Sequence, residues 1–260
     1  MDEEIKTANP LGYKKISKLL RSLAIPAIIA NLVNALYNVV DQIFIGQGIG
    51  YLGNAATNIA FPITTICLAI GLTLGIGGAS NFNLELGKGN PEKSKHTAGT
   101  AASTLIIIGI ILCISIRIFL EPLMISFGAT DKILQYAMEY TGITSYGIPF
   151  LLFSIGVNPL VRADGNARYS MIAIITGAVL NTILDPLFIF VFHWGIAGAA
   201  WATVISQVVS ASLLLIYFPR FKSVKFSLND FIPQIHYLKR IISLGFASFI
   251  YQFSNMIVLV

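Results

Sequence analysis

Apolar and polar positions in this chain separate on the scale of whole helices rather than single turns. Seven apolar runs, at roughly 19–45, 55–82, 98–118, 134–160, 170–192, 196–218 and 240–260, are divided by short connections rich in Gly, Pro and charge. About 20 apolar residues cross a hydrocarbon core of about 30 Å, so each run is of spanning length. The pattern predicts an all-α polytopic membrane protein. The first run has about 27 residues and is roughly 40 Å long as a helix, which forces it to tilt or bend. Pro26 supplies a bend, because it lacks the N–H that would bond the carbonyl of Ser22. Pro62, Pro149 and Pro186 interrupt the second, fourth and fifth runs in the same way.

Inside the first run one polar pattern stands out. Asn31, Asn34, Asn38 and Asp41 are spaced i, i+3, i+7, i+10. At about 100° per residue they fall within about 80° of one another, a single stripe on a helix. A carboxylate at a helix centre costs about 2.5–3.5 kcal/mol to insert in a bilayer. Ordinary packing requires no such expense, so Asp41 reads as part of a functional site.

Composition agrees with the pattern. The 260 residues are 55% hydrophobic and 11% charged, where a soluble domain carries about 25% charge. The net charge of +5 serves topology rather than nucleic-acid binding. Fifteen of the 17 Lys and Arg lie in alternate connections: the N-terminal tail and the 83–97, 161–169 and 219–240 loops. The opposite side holds only Arg117 and Lys132. The positive-inside rule then puts the N-terminus in the cytoplasm, with odd-numbered helices running outward. The acidic M-D-E-E-I-K start lacks a basic n-region, so no removable signal peptide is expected.

Several features have only structural readings. Cys67 and Cys113 lie inside apolar runs without metal or disulfide spacing and read as core residues. The G-L-T-L-G of 71–75, with I-G-G-A-S after it, shares letters with a phosphate loop but sits mid-span, where small residues let helices approach. His96 and His193 flank spans without partner ligands, and R-A-D-G-N-A-R-Y (162–169) reads as a tight turn. The 219–240 stretch alternates aromatic and basic residues, which suits a segment lying on the membrane surface. Beyond it, 243–255 echoes 22–34, as a second repeat would. The expected organisation is a cytoplasmic tail (1–18), a six-helix lobe (19–218), an inter-lobe linker (219–240) and the first helix of a second lobe (241–260), whose remainder is missing.

Depth along the helices brings further residues to the level of Asp41. Asp185, Thr203 and Tyr140 all fall within about 10 Å of the outer boundary, at 1.5 Å per residue. Asn181 lies one turn below Asp185 on the same face. Two carboxylates brought together in low dielectric either share a proton or hold a hard cation with neighbouring oxygens. Asn158 lies much deeper, and by depth alone it misses the cluster.

These residues carry a resemblance. The stretch L-V-N-A-L-Y-N-V-V-D-Q-I-F-I-G (32–46) resembles the first helix of multidrug and toxic compound extrusion (MATE) transporters. So do L-V-R-A-D-G-N-A-R-Y-S-M (160–171), G-A-V-L-N-T-I-L-D-P-L-F-I-F (177–190) and G-I-A-G-A-A-W-A-T-V-I-S-Q (195–207). The first-helix Asp with the N-x-x-x-D pair is similar to the DinF- and MepA-like bacterial branch. The resemblance implies two six-helix lobes, alternating access, and export of amphipathic, often cationic drug-like compounds from a bacterial or archaeal cell. It implies a coupling site for H⁺ or Na⁺ at Asp41, Asn181, Asp185 and Thr203, with no cofactor. Tyr140 and Asn158 would support it, and Pro26 would be the bend that responds to protonation; the stripe adds Asn34 and Asn38 to the supporting set. On Asn158 the resemblance and the depth reading disagree.

The leading expectation is therefore a cation-coupled multidrug antiporter in the cell membrane, with this chain as its N-terminal lobe. The alternative is a lipid or polysaccharide flippase of the same superfamily, which would line its cavity with several basic residues. The spans read as nearly free of Lys and Arg. An enzyme would need a metal set or a nucleophile with its base at one depth, and a channel would need rings of charge. Neither pattern is present in the sequence.

Overall fold

A computed structural model describes residues 15–259, and the tail at 1–14 lies outside it. Among the described residues helix is the only regular structure, and there is no strand. Helix α1 is Ile16–Gly48, α2 Tyr51–Gly87, α3 Pro91–Ile118, and α4 a short Leu120–Ser126. The next span is built from α5 (Asp131–Thr144), a 3₁₀ turn at Ser145–Gly147, and α6 (Ile148–Ala163). Then come α7 (Ala167–Pro186), ending in a π turn at Leu187–Val191, α8 (Gly195–Tyr217) and α9 (Ile235–Leu259). Among the described residues, six helical stretches, with α5 and α6 counted as one, are long and apolar enough to cross a membrane. All seven apolar runs are helical; α9 begins at Ile235, ahead of the boundary at 241.

The breaks sit where the prolines put them. Pro149 follows the 3₁₀ turn, packed so closely on Gly109 of α3 that a Cβ there would overlap it. Pro186 leads directly into the π turn. Pro26 and Pro62, by contrast, lie inside unbroken helices, so the break expected in the second run at Pro62 is absent: its missing N–H costs α2 one bond without ending the helix. The turn between α6 and α7 is closed by Gly165 at φ 87°, where a residue with a Cβ is strained, and by Asn166, whose side chain accepts from the Tyr169 amide at 3.2 Å.

Helix α6 is the hub, packing on α2, α3, α7 and α8. Small residues let it come close. A Cβ on Gly75 would run into the backbone of Gly156, and one on Gly156 into Leu105. The glycine run in α2 is thus a packing surface. Cys67 is buried in the same core, and neither cysteine is in a disulfide. Helix α1 is the outlier: it leans mainly on α7 and buries only Pro26, Ala30, Asp41 and Ile45. Helix α9 crosses α2 where Gly77 meets the Ile241 carbonyl and Gly245 meets that of Thr73.

The linker corrects one expectation. Its aromatic residues do not lie out on a membrane surface. Phe218, Phe221, Phe226 and Phe231 form one cluster, with centroids 5.0–5.7 Å apart, that reaches Phe82 and Phe153. Asp164, fully buried, holds the cluster's near end by accepting from the Tyr217 hydroxyl at 2.8 Å and the amides of Lys222 and Ser223, both at 2.9 Å. At the far end Asp230 caps its own 3₁₀ turn and stands 3.2 Å from His96 and 3.8 Å from Lys95 of α3. Aromatic area and paired carboxylates together outweigh the amphipathic pattern that suggested a surface segment.

Candidate functional site

Helices α1, α6, α7 and α8 surround a cavity of about 250 Å³, with Leu68 and Leu72 of α2 along one side. Each helix contributes one face. Serial spacing of three and four puts Pro26, Ala30, Asn34 and Tyr37 on the α1 wall, and Ser154 and Asn158 on that of α6. Since consecutive spans run in opposite directions, Tyr37, Asn181 and Thr203 mark one end of the cavity. Pro26, Arg162 and Ser170 mark the other.

The carboxyls lie at the first end. Asp41 is one turn beyond Tyr37, and Asp185 one turn beyond Asn181. Asp41 is 8% exposed and Asp185 0%, and their carboxyl groups are within hydrogen-bonding reach of each other. Asn181 donates to Asp185 Oδ1 at 3.3 Å, and Gln42 reaches Asp41 Oδ2 at 3.4 Å. Thr57 of α2 holds the Gln42 carbonyl at 3.1 Å. Tyr37 stands beside both aspartates, and the Tyr140 hydroxyl meets Thr203 next to them.

Three buried oxygens in this cluster accept no hydrogen bond from a donor group of the described residues: Asp41 Oδ1, Asn181 Oδ1 and Asp185 Oδ2. Unpaired buried acceptors are costly. A group made of carboxylate, amide and hydroxyl oxygens fits a proton or a hard cation such as Na⁺. The donor set is Asp41, Asn181 and Asp185, with Thr203 beside them.

The sequence-predicted residues do not all meet. Asp41, Asn181, Asp185, Thr203 and Tyr140 come together, and Asn34 lines the cavity below them. Asn38 does not face the cavity. It is one position, about 100°, around the helix from Tyr37. Its amide bonds the Asn34 carbonyl at 2.7 Å, and its side chain lines an open groove with Gln42 and Asn54. Only its contact with Tyr37 ties it to the cluster. Asn158 shares the cavity but sits toward the far end, where its amide donates to the Ser170 carbonyl at 3.1 Å and its carbonyl accepts from the Ser170 hydroxyl at 2.7 Å. Pro26 also lies at that far end.

Sequence reasoning misses Tyr37, Gln207, Ser206 and Arg162. Tyr37 is legible four residues before Asp41. Ser154, Asn158 and Arg162, at i, i+4, i+8, form a polar ladder on one face of α6, but the apolar pattern leaves Arg162 in the following loop.

The MatE family model matches residues 26–187 of this chain, from Pro26 within α1 to the start of the π turn. The chain belongs to the MatE family. Among relatives, the Multidrug export protein MepA of Staphylococcus haemolyticus (strain JCSC1435) is 26% identical over 240 residues, which are 90% of this chain and 52% of that protein. Among solved structures, the outward-facing conformation of a multidrug resistance MATE family transporter superposes with a TM-score of 0.86. It is 29% identical, over 98% of this chain and 56% of that one. A MATE in complex with MaD3S gives 0.86 at 30% identity, over 93% and 55%. The chain spans about half the length of the relatives it matches. As a MatE member with six spanning helices it is a multi-pass membrane protein and carries the fold of one transporter lobe plus a seventh helix.

Proposed function

We propose that the protein exports drug-like amphipathic compounds by antiport with H⁺ or Na⁺, and that this chain supplies the lobe holding the coupling site. The reading rests on one observation: two buried carboxyls in mutual contact, with three unpaired oxygens, at the end of an amphipathic cavity. The multidrug export relatives agree with it. Asp41 and Asp185 take up the ion. Asn181 orients Asp185, and Thr203 with Tyr140 completes the oxygen set. Two like charges in contact strongly resist full ionisation, so the pair is a ready seat for a proton or a cation. Ion release leaves the two carboxylates repelling each other across the contact of α1 with α7, which α1's light packing lets open. Pro26 is where α1 would bend.

The protein works in the cell membrane with its N-terminus in the cytoplasm, which the charge count favours. It is a transporter rather than an enzyme, and its other partners are the bilayer and a second lobe. The flippase alternative draws on a single observation, Arg162 at the cavity's far end; one cation against two buried carboxyls is the weaker case.

The test is ethidium efflux from proteoliposomes holding the full-length transporter under an imposed pH or Na⁺ gradient. Asp41→Asn keeps the shape and removes the titratable charge, so gradient-driven efflux should be lost while ethidium binding persists. Each coupled charge is driven by about 2.3 kcal/mol per 100 mV. Asp185→Asn should behave alike, and Asn181→Ala and Thr203→Ala should lose less. Normal gradient-driven efflux by Asp41→Asn would overturn the reading.

A further inference from the structure

The cavity has a second polar end that coupling does not use. Arg162 lines it from the last turn of α6, half-buried, and among the described residues its guanidinium forms no ion pair or hydrogen bond. Its nearest carboxylate in sequence, Asp164, is fully engaged with Tyr217 and the amides of Lys222 and Ser223. Among the described residues, nothing else of negative charge lines the cavity at this end. The aspartate pair lies at the opposite end: Ser170 and Asn181, which mark the two levels on α7, are 11 residues or about 16 Å apart.

A guanidinium left without a carboxylate partner in such a wall is costly unless an anion completes it. Between the two ends the wall offers more unpaired polar groups. The hydroxyls of Ser154 and Ser206 are buried and have no partner. Leu151, Ile155, Ile174 and Leu214 supply the apolar surface around them. An apolar slot ending in one planar, five-donor cation suits an amphipathic anion: a compact carboxylate or phosphate head on an apolar body.

We propose that Arg162 is a binding subsite for the anionic head of an amphiphile lying in this cavity. It thereby extends the substrate range of the proposed exporter to anionic and zwitterionic amphiphiles. This deepens the export reading and rests on it for the word substrate; the binding claim itself stands apart.

The full-length protein in phosphatidylcholine nanodiscs is titrated with dansylamino-undecanoate and, separately, with its uncharged methyl ester, following dansyl fluorescence. Arg162→Gln should weaken the carboxylate by about tenfold or more relative to the ester, about 1.4 kcal/mol. Arg162→Lys should restore most of the difference, since it keeps the charge. Equal losses for acid and ester in Arg162→Gln would mean a structural role only and would overturn the proposal, as would no loss for either. Nanodiscs containing phosphatidylglycerol separate the sources of the anion. Competition with the probe that depends on Arg162 assigns the subsite to a lipid phosphate, and its absence alongside retained probe binding assigns it to a soluble carboxylate. Ethidium efflux by the unmodified protein is measured in parallel. Failure there with Arg162-dependent binding intact removes the antiporter reading and leaves the subsite standing.

Discussion

Asp164→Ala should release the linker from the lobe. The aspartate is fully buried, and its two oxygens satisfy three donors: the Tyr217 hydroxyl, itself 1% exposed, and the amides of Lys222 and Ser223. Bonds to a charged group contribute about 1.5–3 kcal/mol each, and a buried donor left alone costs about 1–3 kcal/mol. The two amides lie near the surface and regain water, whereas the Tyr217 hydroxyl does not. Because the three bonds share one acceptor they are not additive, and the net loss should be about 3–5 kcal/mol. It falls locally, on residues 218–226. Lys222 and Lys225 are exposed but flanked by buried Phe221 and Val224 and half-buried Phe226, so opening of this segment should limit tryptic cleavage. The assay is limited trypsinolysis in detergent, with cleavage after Lys222 and Lys225 followed by mass spectrometry. Cleavage should accelerate by about tenfold or more, since every 1.4 kcal/mol is worth a factor of ten in the open population. Asp164→Asn, which keeps one oxygen acceptor, should fall between the two. Cleavage within about twofold of the unmodified rate in a folded Asp164→Ala protein would refute the pinning argument.

Gly77→Leu should uncouple α9 from α2, because a Cβ there falls on the Ile241 carbonyl; a cysteine pair at Glu85 and Arg240, whose side chains meet at 3.6 Å across this contact, should then lose its cross-link by a short bifunctional thiol reagent. Retained cross-linking would mean the crossing tolerates separation. For topology, single cysteines placed at Asn90 and His193 should differ in intact cells, an impermeant maleimide labelling only the second. Labelling at Asn90 would reverse the orientation derived from the basic residues.

Much of this protein is determined by sequence periodicity alone. Seven apolar runs became seven helical segments, because in lipid each backbone must satisfy its own hydrogen bonds and a helix does so locally. The Gly165–Asn166 turn and the breaks at Pro149 and Pro186 are local for the same reason, as they follow from φ preferences and a missing N–H. The depth reading also brought Asp41, Asp185, Thr203 and Tyr140 to one level, with Asn181 one turn below, since rise per residue is fixed.

Which faces meet is a property of pairs of helices, and only the tertiary structure decided it. The apparent four-residue stripe on α1 was split, with Asn34 and Asp41 turned toward α7 and Asn38 left on an open groove. Asn158 joined the cavity but not the carboxyls, because α6 brings it level with Ser170. Arg162 looked like a loop charge because the apolar run stops at 160, yet the helix continues to Ala163 and keeps that side chain on the cavity wall. The linker's aromatic residues read as a surface pattern until Asp164 and Asp230, far apart in sequence, pinned the segment at both ends. Local chemistry decides where a chain turns and how deep a residue lies; the direction a side chain faces depends on partners a hundred residues away.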